Sequence, residues 1–309
     1  MSISSLPKFN LSPLGATFVI VACAVCFGLV PVFVRELKGL GAGPATIALY
    51  RYGFSALLLL PFLPLEKHKR GSALLLAGAG AVLGLSLIGY LEAITTAPVA
   101  AAGVVYMSYP VFASFFAWIL LKQTPGFRSF AAAGLVLGAA ALLLDPSLLS
   151  PEVMASLLWA IPAPVAFGFL VVVLSGLVGQ LNSLERTACG LVGAIVGLAP
   201  VALQEGQGTL LPASSTQWGL VIVMGLITAL VPQVLFSFAC QKVGPARTAA
   251  AGSFELPTMF LVGFFVFGES VGVREAVSAA LVLSAILLAP TIGAQAKGSD
   301  WVGNSKQIS

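Results

Sequence analysis

Ten stretches of this chain run for about twenty residues with few charges, each closed by a short polar or Pro/Gly-containing joint. About 20 apolar residues are what a helix needs to cross the hydrocarbon core of a bilayer. The predicted spans are 14–34, 44–64, 72–95, 98–121, 127–145, 153–174, 184–203, 216–240, 245–267 and 272–291. Only 8% of the 309 residues are charged and 59% are hydrophobic, with a mean hydropathy of +1.04. Soluble domains carry roughly a quarter charged residues, so this composition excludes a water-soluble fold and leaves no room for a sizeable soluble domain. The expected fold class is an all-α integral membrane protein with ten transmembrane helices.

The first apolar stretch follows Lys8, as a secretory signal would, but it has the length of a span. Pro31, Arg35 and Glu36 at its end form no small-residue cleavage site. With ten spans both termini lie on one side. That side collects Lys8, Lys67, Lys69, Arg70, Lys122, Arg128, Arg186, Lys242, Arg247, Lys297 and Lys306, whereas the other has Arg35, Lys38 and Arg274. Arg51 falls inside the second span. The positive-inside rule then places both termini in the cytoplasm of a multi-pass plasma (inner) membrane protein. The net charge of +4 is scattered over short loops and forms no basic stripe, so no nucleic-acid partner is expected.

Cys23 and Cys26 form a C-x-x-C inside the first apolar segment, and Cys189 and Cys240 stand alone in others. They read as small hydrophobes, with no disulfide, no metal and no cofactor implied. His68, in the run Glu66 to Arg70, belongs to a solvated loop. The longest connection, Gln204 to Ser215, is a polar surface loop.

The chain repeats itself. Pro98 and Pro245, and again Pro110 and Pro257, are separated by 147 residues, and at that offset the aromatic-rich segments after Pro110 and Pro257 align without gaps. Tyr50-Arg51-Tyr52 and Glu185-Arg186-Thr187 match at 135, with the longer 204–215 loop absorbing the difference. The expected halves are residues 1–148 and 149–309, five helices each, within one membrane domain. A five-span unit crosses an odd number of times, so its second copy enters inverted. Inverted repeats around a site near the midplane are the construction of secondary transporters.

With Pro110 and Pro257 in the fourth and ninth spans and Gly268-Glu269 closing the ninth, the chain resembles the EamA-like drug/metabolite transporter superfamily over nearly its whole length. Leu121-Lys122 departs from the Gly-Glu expected at the end of the first half. In size and aromatic content the chain also resembles YddG-type amino-acid exporters. The resemblance implies five plus five helices and transport of a small solute, without specifying which.

Polar groups at membrane depth are costly and usually face a bundle interior or a watery cavity. Glu255, one turn or less from Pro257, is the strongest candidate: it would bind a substrate amine, carry a proton, or pair with Arg51 or Arg247. Ser108 stands at the equivalent position before Pro110. With Tyr109 and Ser253 these form a candidate polar floor where the helices break, although a serine satisfying a Pro kink reads equally well. Tyr106, Trp159, Tyr90 and Gln233 complete the candidate substrate-binding set, and Pro110, Pro257, Pro162 and Pro164 are the candidate hinges. Gly80-x-x-x-Gly84, Gly134-x-x-x-Gly138 and Gly193-x-x-x-Gly197 read as small faces for helix contact. No Walker motif, nucleotide fingerprint or convergent catalytic set occurs. The sequence thus points away from an enzyme, and towards an exporter of amino acids or other small metabolites that works as a monomer, with proton coupling open. The alternatives are export of drugs or cationic compounds and, further off, an intramembrane enzyme on a lipid-linked substrate.

Overall fold

The computed structural model describes residues 12–124, 126–143, 149–206, 211–270 and 272–288. Lys8, Asp145, Lys297, Lys306 and residues 207–210 of the long loop lie outside them. The described residues are helical and contain no strand. In chain order the helices are α1 (Pro13–Gly28), α2 (Val30–Gly39), α3 (Pro44–Leu59), α4 (Arg70–Thr96), α5 (Val99–Tyr106), α6 (Tyr109–Leu121), α7 (Phe127–Leu143), α8 (Pro151–Trp159), α9 (Pro162–Val172), α10 (Ser183–Glu205), α11 (Ser215–Gly225), α12 (Val231–Gly252), α13 (Glu255–Phe267) and α14 (Val273–Leu288).

Each predicted segment coincides with a single helix or with helices meeting at a break. By length and apolarity, seven helical runs among the described residues can cross a membrane unaided, and Phe127–Ala139 and Glu255–Phe267 are shorter apolar helices. The difference from ten lies in the fifth, ninth and tenth segments. Gly244, at φ 79°, ends the straight run of the eighth segment inside α12, and the break before Glu255 leaves α13 only 13 residues long.

Proline explains where the breaks fall. Pro31, Pro110 and Pro162 sit at the first or second position of α2, α6 and α9, and Pro257 lies in the first turn of α13. A first-turn N–H has no intrahelical acceptor, so proline costs nothing there, whereas deeper in a helix it would remove a bond. Two further interruptions are π-helical turns, Val173–Leu177 after α9 and Leu226–Leu230 before α12. At the ends of the paired helices α6 and α13, Lys122 and Gly268 both take left-handed backbone, φ 54° and 64°.

The halves interlock. The most extensive packing joins α4 to α10, followed by α1 with α12 and α3 with α10. Glycine permits the first of these: a Cβ on Gly80 would strike the carbonyl of Gly190, one on Gly84 that of Ala194, one on Gly193 that of Ala77 and one on Gly197 that of Ala81. Two of the three small-residue faces thus meet each other. The third does not, because Gly134 and Gly138 have open space where a Cβ would go. Near the middle the two broken helices cross with their halves exchanged, α5 against α13 and α6 against α12.

Candidate functional site

Where the broken helices cross, their ends and the neighbouring spans enclose a cavity. The centre of a water molecule can move through about 60 Å³ of it, against the roughly 10–15 Å³ that one water requires on that measure. It therefore has room for several waters or a small solute. One wall is aromatic, from Phe27, Tyr52, Tyr90, Tyr106, Phe167 and Phe236, and the polar lining is Arg51, Glu255, Gln233, Arg186, Thr187 and Ser237.

Glu255 opens α13, at the positive end of that helix, where the aligned peptide dipoles favour an anion. It is 5% exposed, and among the described residues no donor bonds its carboxylate. No fully enclosed polar side-chain atom lacks a partner among those residues, so its oxygens open onto the cavity. The break that starts α13 is what frees this position. Gly28 lets α1 come close enough to deliver Phe27, since a Cβ there would crowd Thr258 and the Glu255 carbonyl.

Arg51, 7% exposed on α3, reaches across to the other repeat. Its Nε and Nη2 donate to the Thr228 carbonyl at 3.3 and 2.9 Å, and its guanidinium lies 5.2 Å from the Tyr52 ring centroid and 5.9 Å from that of Phe27. Thr228 sits in the second π-helical turn. Arg51 is the charge whose field acts on Glu255, yet among the described residues the two are not within ion-pair distance.

The aromatic wall is continuous. Tyr90 and Tyr106 stack with centroids 4.4 Å apart, Tyr106 stacks on Phe167 at 5.6 Å, and Phe167 approaches Phe236 at 6.4 Å. Tyr90 Oη lies 3.5 Å from Met259 Sδ on α13.

Of the residues predicted from sequence, Glu255, Tyr106, Tyr90 and Gln233 come together on this lining. Tyr109 stands behind it, edge-on to Phe167 at 4.8 Å with its hydroxyl paired to Ser253, so both support the wall from outside the lining. Ser108 satisfies the break itself, its Oγ donating to the Val105 carbonyl at 2.7 Å. Trp159 is a correction: it is 63% exposed at the end of α8 and packs beside Gly89, away from the cavity. The α8–α9 break turns that side chain outward and brings Phe167, one helix later, inward.

Arg186 is a second correction. The sequence counts it among the charges of the cytoplasmic side, but it is 3% exposed and lines the cavity. Its Nε donates to the Leu181 carbonyl at 2.8 Å and its Nη1 to the Leu174 carbonyl, in the first π-helical turn. The match of Arg51 with Arg186 at offset 135 was the available signal for it. Phe27, Phe236 and Ser237 had none, because one apolar face of a buried helix looks like another in sequence.

Polar pins close both ends of the bundle. On one, Arg35 Nη2 lies 2.6 Å from Glu269 Oε1 and also bonds the Ala97 carbonyl, while Glu269 Oε2 accepts from Val99 N at the start of α5. Glu205 caps α3 on the same side through Ala45 N and Thr46 N. On the other, Lys69 Nζ bridges Glu185 at 2.8 Å and Glu66 at 3.2 Å, and Glu185 closes a capping box with Asn182.

The sequence pattern of the EamA-like transporter family matches residues 14–145 and again 154–290. An uncharacterized transporter of Archaeoglobus fulgidus is 27% identical over 271 residues, covering 87% of this chain and 94% of that one. A solved protein crystal structure superposes with a TM-score of 0.65 at 14% identity, covering 93% of this chain and 99% of the other. At that identity the likeness speaks for the fold alone.

Proposed function

The chain belongs to the EamA-like transporter family, and on that premise we propose that it is a secondary exporter of small metabolites, chiefly amino acids including aromatic ones. Transport would proceed by alternating access, the two repeats rocking about the cavity between them. The observation that carries this reading is an unpaired carboxylate, Glu255, and a guanidinium, Arg51, lining one cavity beneath a stacked aromatic wall. An amino acid presents the complementary set: an ammonium for Glu255, a carboxylate for Arg51 and a side chain for the Tyr106 face.

In the same reading all ten segments span the membrane, the two halves are residues 1–148 and 149–309, and both termini lie in the cytoplasm of a plasma-membrane monomer. Pro110, Pro257, Pro162 and Pro164 serve as hinges because the helix ends they mark lack continuous backbone bonding. Glu255 is the candidate carrier where a proton gradient drives export.

One observation favours a second substrate class. Tyr90, Tyr106 and Phe167 stack beside the Glu255 carboxylate, and aromatic faces with a nearby anion hold organic cations well. Efflux from proteoliposomes containing only this protein decides between them, using labelled aromatic, aliphatic and charged amino acids plus cationic drugs. Selective amino-acid flux establishes the exporter reading, flux confined to drugs moves the substrate class, and no flux from folded protein ends both.

A further inference from the structure

The cavity carries more positive charge than its neighbours balance. Two arginines, Arg51 and Arg186, and one carboxyl side chain, Glu255, line it, and no carboxylate among the described residues lies within 4.0 Å of either guanidinium. The two arginines stand on different helices, α3 and α10, and bond carbonyls of different π-helical turns, Thr228 and Leu174. Arg186 lies one turn into α10, at the end of the bundle where Lys69 and Glu185 pair, with Leu174 and Ser237 beside it on the lining.

Its donors are only partly used. Of five guanidinium N–H groups, the bonds to the Leu181 and Leu174 carbonyls occupy Nε and Nη1. Those two bonds fix the plane of the fork and leave Nη2 for a ligand. Thr187 and Ser237, both buried on the lining, bond each other at 3.0 Å and supply hydroxyls alongside. A buried guanidinium with a spare edge, neighbouring hydroxyls and no counter-charge is built for an oxyanion, since a planar fork matches a carboxylate in two parallel bonds.

We propose that Arg186, with Thr187 and Ser237, forms a second anion subsite in the cavity, which receives the carboxylate of a solute. It deepens the exporter reading, on which its place along a transport path rests: a solute entering from the Lys69–Glu185 end would meet Arg186 first and pass to Arg51 and Glu255. The repeat supports the division, because Arg51 and Arg186 are equivalents at offset 135 and each is anchored on a carbonyl of a π-helical turn.

The test uses purified full-length protein and three probes that share one ring and differ in charge: benzoate, benzamide and benzylammonium. Phenylglyoxal modifies accessible arginines, and peptide mass spectrometry reads Arg51, Arg186 and exposed Arg128 separately. Benzoate at about ten times its half-saturating concentration should slow labelling of Arg186 about tenfold, with benzamide and benzylammonium ineffective and Arg128 unchanged. In parallel, benzoate should raise the thermal midpoint of the wild type, less so in Arg186→Gln, with Arg186→Lys recovering part of the shift. Equal labelling of Arg186 with and without benzoate overturns the subsite, as does an Arg186 the reagent never reaches, since that site is closed to a ring of this size. Where Arg186→Gln fails to fold, labelling of the wild type alone decides. Protection of Arg51 without Arg186 removes this inference and leaves the exporter reading standing, whereas protection of Arg186 in protein without flux does the reverse.

Discussion

Arg51 and Glu255 face one cavity from opposite repeats without forming an ion pair. The Thr228 carbonyl holds the guanidinium in place, so the carboxylate needs no partner to keep Arg51 oriented. A paired carboxylate would be locked in its charged form, whereas an unpaired one is free to take up a proton or an ammonium. Glu255→Gln should therefore abolish flux driven by a pH gradient while sparing solute-for-solute exchange. Flux in proteoliposomes with and without the gradient checks this, and a variant that still responds to the gradient removes Glu255 as the proton carrier.

Tyr106 is stacked on both Tyr90 and Phe167, and such aromatic contacts are worth about 0.5–1.5 kcal/mol beyond area burial. Tyr106→Ala should cut aromatic amino-acid efflux by about tenfold, the change that about 1.4 kcal/mol produces, and Tyr106→Phe should keep most of it. Trp159→Phe should leave transport unchanged, because that residue is 63% exposed and does not line the cavity. Initial rates at subsaturating substrate separate the three.

The glycines of α4 and α10 should be intolerant of a single methyl. Gly193→Ala drives a Cβ into the Ala77 carbonyl, and overpacking of this kind costs about 1–3 kcal/mol. Gly134→Ala meets nothing and should be neutral within about 0.5 kcal/mol. Thermal midpoints of the purified variants provide the comparison, and equal losses at both positions would contradict the packing described.

Lys122 occupies a left-handed position that Gly268 fills in the other half, and a side chain there costs about 1–2 kcal/mol. Lys122→Gly should accordingly raise stability by about 1 kcal/mol, and Gly268→Ala should lower it by a similar amount. Reversible unfolding in mixed micelles measures both.

The Arg35–Glu269 contact makes a different prediction for each replacement. Glu269→Ala removes the ion pair and the cap on Val99 N together, whereas Glu269→Gln keeps an acceptor for that N–H. The glutamine variant should lose less stability, and a double-mutant cycle with Arg35→Ala should show coupling between the two side chains.

Much of the fold was legible because a bilayer imposes a simple rule on sequence. Among the described residues each of the ten apolar segments is helical over most of its length, the prolines at 31, 110, 162 and 257 marked helix starts, and the glycines at 80, 84, 193 and 197 marked the closest helix contact. Gly134 and Gly138 carry the same spacing with no partner, since a small face does not specify what approaches it. The site was legible in part. Glu255 stood out as an acid at membrane depth and Tyr106 as an aromatic ring in mid-helix, whereas Arg186 counted only as a charge of the cytoplasmic side and Trp159 read like a cavity ring.

Sequence alone determined the membrane setting, the helix positions and the internal repeat, because each follows from local composition and spacing along the chain. Tertiary structure decided which faces of those helices turn inward. That depends on geometry at the breaks, where the π-helical turn carbonyls of Leu174 and Thr228 accept from arginines of α10 and α3. Such contacts join residues far apart in the chain, and their energies depend on geometry that no local pattern records.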